Sequence, residues 1–194
     1  MKRYFLGLII GLAFASNVGA AILKGVVEGG KYIERSPVVV YLAGSTGEFK
    51  KPPVNPTMDQ RNMTFIPHVL PIQTGTTVDF LNNDEVKHNV FSPDHGKYNL
   101  GTWPRGAVKQ RTFTEQGVYT QLCNVHPEME AFIVVLDTPY FTLTDKDGNF
   151  ELPAVPPGSY TIKAWHEKLH FTSQDIVVTE QGAENIVIER KKRR

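Results

Sequence analysis

The sequence predicts an all-β chain made of two small β-sandwiches. Three observations carry that expectation. Apolar and polar residues alternate with period two through most of the chain after residue 20, and almost nothing has helical period. Turn signals interrupt the alternation at Gly29-Gly30, Asn82-Asn83-Asp84, Gln116-Gly117, Asp147-Gly148 and Pro156-Pro157-Gly158. Two breaks, Lys51-Pro52-Pro53-Val54-Asn55-Pro56 and Thr138-Pro139, bracket a middle block running from Met58 to Asp137; so proline-rich a stretch cannot form a central strand.

The first element in chain order is an address. Lys2 and Arg3 form a positive start, residues 4–15 an apolar run, and Val18-Gly19-Ala20 a small-residue cleavage site. The apolar run is too short to span a bilayer, which takes about 20 residues. Residues 1–20 therefore read as a cleaved secretory signal, with the mature chain starting near Ala21, a periplasmic location and no transmembrane anchor. Strands are then expected over 22–27, 38–42, 76–81, 88–91, 108–113, 118–122 and 131–136. After the second break they are expected over 141–144, 150–152, 160–165, 175–178 and 185–188. Asp147-Gly148 reads as a tight hairpin, and Tyr160, Ile162 and Ala164 alternate onto one face.

Charge and composition remove whole classes of function. The 194 residues carry a formal charge of +1. Without residues 1–20 the balance is 19 basic against 20 acidic side chains, a charge of −1. Five of those positives sit in the tail Arg190-Lys191-Lys192-Arg193-Arg194, whose last four residues, 191–194, close the chain as a solvated basic end. No basic field suggests a nucleic-acid partner. No Ser-His-Asp order, phosphate-cradling glycine loop or dinucleotide fingerprint is present, so the chain is not expected to be an enzyme. The single Cys123 excludes an intramolecular disulfide and a zinc site built on several cysteines. An unpaired thiol in an exported chain is a hazard unless buried or bound to something.

That thiol stands in Cys123-Asn124-Val125-His126-Pro127-Glu128-Met129, between two expected strands, with His88 on another strand 35 residues upstream. One thiolate, two imidazoles and a thioether form a soft ligand set. Two His and one Cys in a plane with a weak axial Met is the pattern of blue-copper electron-transfer sites. A short loop between adjacent strands presents three of these side chains toward one point, and the fourth ties the loop to the sandwich. Three other readings stay open at this level: a buried inert thiol, a thiol nucleophile paired with His126, and zinc on the same ligands. Among the remaining histidines, His68 follows Pro67 on a strand, His95 sits in a polar loop, and His166 and His170 fall after the second break.

Here the middle block resembles the cupredoxins. The resemblance lies in Phe65-Ile66-Pro67, in Gly75-Thr76-Thr77-Val78-Asp79-Phe80-Leu81-Asn82-Asn83-Asp84 with His88-Asn89-Val90, in Gly117-x-Tyr119-x-x-x-Cys123, and in Cys-x-x-His-x-x-Met with Pro after the His. That short ligand loop is of the pseudoazurin and amicyanin type. The resemblance implies a Greek-key β-sandwich holding one type-1 copper ion on His88, Cys123, His126 and Met129. It implies a one-electron carrier between redox partner proteins. Asn89, through its backbone N–H to the Cys sulfur, and Asn124 are the expected supporting neighbours. His126 is the expected electron port, with Pro127 and Glu128 beside it for partner docking. Val125 stands where such relatives often have Pro, and Glu128 where they often have an apolar residue. Glu128 with Glu130 suits a basic partner. Six histidines are too few for a type-1 site plus the trinuclear cluster of the multicopper oxidases. The alternative is a non-redox copper carrier or sensor, or an extracytoplasmic interaction module.

The flanking segments resemble the carboxypeptidase regulatory-like, or transthyretin-like, sandwich. The likeness rests on Thr144-Asp145-Lys146-Asp147-Gly148-Asn149-Phe150 and on Pro157-Gly158-Ser159-Tyr160. Its opening strands correspond to Gly25-Val26-Val27 and Val38-Val39-Val40-Tyr41-Leu42. This implies a discontinuous domain, 21–50 with 138–190, and a copper domain over 58–137 inserted between its strands. The alternative is two consecutive domains, with 21–50 as extra strands of the first. The whole chain resembles bacterial plastocyanin-like or methylamine-utilisation-type proteins with this domain pair. Asp145-x-Asp147-x-Asn149 is not an EF-hand loop, because Phe150 occupies the position that needs Gly and Pro156 the one that needs Glu.

Overall fold

The structure, a computed structural model, describes residues 21–44, 53–94 and 96–192. The expected signal, the Lys51-Pro52 start of the first break, His95, and Arg193 and Arg194 of the tail lie outside the described residues. Among the described residues sixteen strands follow one another: β1 (Ala21–Val27), β2 (Val39–Ala43), β3 (Thr57–Arg61), β4 (Thr64–Ile66), β5 (Val69–Gln73), β6 (Thr76–Leu81), β7 (His88–Ser92) and β8 (Tyr98–Trp103) in the first half. They continue with β9 (Val108–Phe113), β10 (Gly117–Leu122), β11 (Glu130–Leu136), β12 (Phe141–Leu143), β13 (Asn149–Val155), β14 (Gly158–Trp165), β15 (Gln174–Val178) and β16 (Ala183–Ile188). The only helical residues among those described are the 3₁₀ turn Gly30–Tyr32. No helix among them is long and apolar enough to cross a membrane.

The strands form four sheets, in the orders β13-β1-β16, β12-β2-β14-β15, β5-β11-β10-β7-β8 and β4-β3-β6-β9. Three apolar cores separate them as successive layers. The first core, with Leu23, Val40, Leu42, Leu152, Ile162 and Ile188, joins the first two sheets, and Tyr160 and Ala164 pack against it. The last, with Met58, Phe80, Val90, Phe113, Ile133 and Cys123, joins the third and fourth sheets. Between the second and third sheets lies a smaller core of Val39, Val69, Phe132, Val134 and Leu136, with Tyr41, Phe141, Leu143 and Trp165 packed against it.

This stacking explains two uninterrupted apolar runs. In β11, Ala131, Ile133 and Val135 face one core while Phe132, Val134 and Leu136 face the other. Val38, Val40 and Leu42 likewise face the first core, while Val39 faces the middle one. Strands covered on both faces read as continuous runs rather than alternating ones.

Four strands escape the period-two reading: β3, β4, β5 and β8. In β3 the inward positions are Met58 and Gln60, and Gln60 passes for a surface residue although its Nε2 donates to the Leu81 carbonyl at 2.7 Å. Strand β5 contains Pro71, tolerated because β5 is a sheet edge paired only with β11. Strand β8 is the opposite edge and carries Gly101, with a bulge in its pairing to β7.

The expected hairpin at Asp147-Gly148 is corrected by the structure. The chain does turn there, with Gly148 at φ 88° and Asp145 Oδ1 accepting the N–H groups of Asp147 and Asn149 at 2.9 and 2.8 Å. Yet β12 pairs with β2 while β13 pairs with β1, so the turn is a corner between two sheets. The Gly148 carbonyl accepts the Val27 N–H at 2.9 Å, which locks the corner onto β1.

His166 is buried just after β14. Its Nδ1 accepts the Lys168 N–H at 3.0 Å, and its Nε2 is enclosed near the backbone of Tyr32 and Ser36 without a well-formed hydrogen bond. Burial pushes its pKa below the ordinary histidine value.

Two outcomes follow. Phe132→Ala should lower the unfolding free energy in urea by about 3–5 kcal/mol, whereas Val177→Ala, on an exposed face, should stay within about 0.5 kcal/mol. Because the unfolded chain binds the His166 proton first, the stability gained by burying the neutral ring is complete above about pH 6.5 and is lost as pH falls toward the lowered folded value. Urea midpoints measured from pH 7.5 to 5 should fall, and His166→Asn should flatten that fall.

Candidate metal centre

Local pairing delivers the site residues to one end of the third sheet. His88 opens β7, Leu122 ends β10 opposite both Phe91 and Glu130, and the seven residues 123–129 close the turn into β11. The Met129 N–H donates to the His126 carbonyl at 3.0 Å, which folds the loop back on itself.

Three ligand-capable atoms converge there. His88 Nδ1 lies 3.0 Å from His126 Nδ1 and 4.0 Å from Cys123 Sγ, and one such atom from each residue lies within 4.8 Å of the other two. Two lone-pair nitrogens and a sulfur pointed at one another repel unless a proton or a cation sits among them. Metal–ligand bonds of about 2.0–2.3 Å in a plane would set these atoms about 3.5–3.8 Å apart, between the two separations observed. The donor set and spacing therefore fit a soft or borderline metal ion.

Burial divides the set. His88 and Cys123 are buried, and Met129 is buried in the same core as Cys123. His126 is partly exposed, and Asn124, Val125, Pro127 and Glu128 are exposed around it.

Support comes from two polar assemblies. Asn89 N–H points at Cys123 Sγ at 3.5 Å, which favours a negatively charged sulfur. The Asn89 side chain donates to Asn99 Oδ1 and the Gly101 carbonyl at 2.8 and 2.9 Å, and its Oδ1 accepts the Asn124 N–H at 3.4 Å. One amide thus ties β7, β8 and the loop together. On the other side, His88 Nε2 contacts Asp84 Oδ2 at 2.9 Å, so the ring turns Nδ1 inward. The Met63 N–H first, and then His88, hold the Asp84 carboxyl below the usual carboxylate range. Asn82 braces that turn, accepting the Asp84 N–H at 2.9 Å and donating to the carbonyls of Val86 and Trp103 at 3.0 Å each.

Sequence reasoning assigned no role to Asp84 or Asn99. The Asp-x-x-x-His spacing after a turn signal was the available clue to Asp84. It also passed over the exposed apolar side chains of Met63 and Val86, which join Val125 at this end of the molecule. Met63 is tied there through Asp84.

Residues 53–136 match the family model of copper binding proteins of the plastocyanin/azurin family. Residues 137–191 match that of the second β-sandwich domain of NOMO1-like BOS complex subunits. Among solved structures, a purple cupredoxin from Nitrosopumilus maritimus is 26% identical, with 42% of this chain and 100% of that one covered at a TM-score of 0.40. A copper-containing nitrite reductase from Thermus scotoductus SA-01 is 27% identical over 48% of this chain and 25% of its own, at a TM-score of 0.43. A reduced amicyanin mutant is 26% identical over 42% of this chain and 82% of its own, at 0.41. The chain is thus similar over residues 53–136 to the plastocyanin/azurin copper-binding proteins, and over 137–191 to the NOMO1-like second β-sandwich.

Proposed function

We propose that the chain is an exported, periplasmic type-1 copper protein that carries single electrons between redox partner proteins. The observation behind this reading is the convergence of His88 Nδ1, His126 Nδ1 and Cys123 Sγ at the end of a stiff sheet. Those three atoms would hold one copper ion, with the Met129 thioether as the weak fourth ligand. Copper supplies the one-electron couple.

The protein's own groups do the rest. Asp84 fixes the His88 ring, Asn89 N–H supports negative charge on sulfur, and Asn124 closes the loop onto Asn89. His126 alone of the set reaches the surface, which suits it to passing electrons. Pro127, Val125 and the acidic Glu128 and Glu130 frame it for a partner with basic groups at its rim. Four protein ligands leave no open position for a substrate, which favours a carrier over an enzyme. Residues 1–20 would direct export.

The same reading divides the chain into a unit of 21–50 with 138–190 and an inserted unit over 58–137. In support, among the described residues β1 pairs only with β13 and β16, and β2 only with β12 and β14.

Cu(II) added to the chain lacking residues 1–20 should give an intense blue or green thiolate-to-copper band. Cys123→Ser should abolish it, and voltammetry should show a reversible one-electron wave; a colourless complex would overturn the electron-carrier reading. Asp84→Ala should weaken copper binding by about 10–100-fold, read by competition against a chelator.

A further inference from the structure

The second sandwich reaches the candidate site through a residue the site does not use. His68 stands one position before β5, which runs parallel to β11 at the sheet edge. Its backbone carbonyl accepts the Phe132 N–H at 2.8 Å, and its Nδ1 bonds the Glu130 carbonyl at 3.1 Å. One residue thus grips β11 on both sides of Ala131, and the ring adds a rung at the end of the β5–β11 ladder. His68 Nε2 bonds Glu167 Oε2 at 3.3 Å, two residues past Trp165 in the other sandwich. The Glu130 carbonyl and the Glu167 carboxylate are both acceptors for the ring nitrogens they meet.

The surroundings hold this arrangement in place. The His68 ring meets Phe132 edge-on with centroids 5.5 Å apart, and Phe132 meets Trp165 at 5.4 Å. The Glu167 side chain is only 10% exposed, and its other charged neighbour is Lys168, whose Nζ lies 3.9 Å away. The segment Trp165-His166-Glu167 therefore packs one residue, buries the next, and sends the third across the middle core.

We propose that Glu167 and His68 are positioning residues for the copper loop, a clasp through which the second sandwich sets the Glu130-Ala131 peptide, one residue past the loop, and with it the Met129 sulfur. The proposal rests on the copper reading above for its functional consequence. A weak axial ligand tunes the potential of such a site, and the clasped Glu130 carbonyl is one residue from that ligand.

The test uses the full chain without residues 1–20, first metal-free. Amide exchange should quicken about tenfold over 124–129 in Glu167→Ala and in His68→Phe, as expected for losing a hydrogen bond to a charged group. The double variant should quicken it no further than either single one, and β1 and β16 should be unaffected. Glu167→Gln, which keeps the shape, covers the case in which a larger change unfolds the chain; it too should loosen the loop. In the copper-loaded protein, Glu167→Ala should shift the midpoint potential, while Lys168→Ala should leave it unchanged. Unchanged loop exchange in the folded variants, or equal quickening in β1, overturns the clasp. A loop that loosens in a chain forming no thiolate-to-copper band keeps the clasp and overturns the copper reading alone.

Discussion

Strand β11 sends Ala131, Ile133 and Val135 into one core and Phe132, Val134 and Leu136 into another, and the molecule is organised around that double burial. Each side chain of Val, Leu, Ile or Phe so placed contributes about 1.5–3 kcal/mol, and both faces contribute from a single strand. A strand fixed from both sides is a poor place for motion and a good place to begin a site. The loop 123–129 enters β11 directly, and its last member, Met129, is buried in the same core as the alternate side chains that follow it. The other sandwich is stacked on the opposite face of that strand, so its packing reaches the loop without touching it.

The site itself is an electrostatic problem solved by its neighbours. Turning two imidazole nitrogens and a thiol toward one point has a cost that falls on the chain during folding. Asp84 on the far nitrogen of His88 and the Asn89 N–H on sulfur lower it. Both belong to the loop and strand that carry His88, while Cys123 and His126 come from the other side. The half that carries His88 therefore supports both, and it meets the other through the Asn89 N–H on Cys123 Sγ and the Asn89–Asn124 contact.

Much of this was legible in the sequence, and what was not has identifiable physical causes. The strand expected over 76–81 coincides with β6, whose inward Val78 and Phe80 flank the outward Asp79, and that over 108–113 coincides with β9, of which only Phe113 is buried. The short spacing from Cys123 to His126 and Met129 was equally plain. Strand β3 was hidden because its inward Gln60 is polar, with its Nε2 bonded to a backbone carbonyl, and β5 because Pro71 reads as a breaker. The hairpin expected at Asp147-Gly148 became a corner because a turn signal fixes a reversal of the chain but not which strands then pair. Asp84 lay within reach through its Asp-x-x-x-His spacing, whereas Asn99 and His68 act through contacts closed only in three dimensions, and no local pattern marks His68 at all.

The pairing of β1 sets an order of events. Its partners are β13 and β16, which begin at Asn149 and Ala183. During synthesis from the N-terminus this strand, though made before every other described strand, remains without both neighbours until residues 149–188 have been made. The middle strands, whose contacts are with one another, can close before then, since pairing between distant segments is intrinsically slow. The pairings that frame loop 123–129 therefore need no partner from outside the middle block, whereas the sheet holding β1 needs strands from both ends of the described chain.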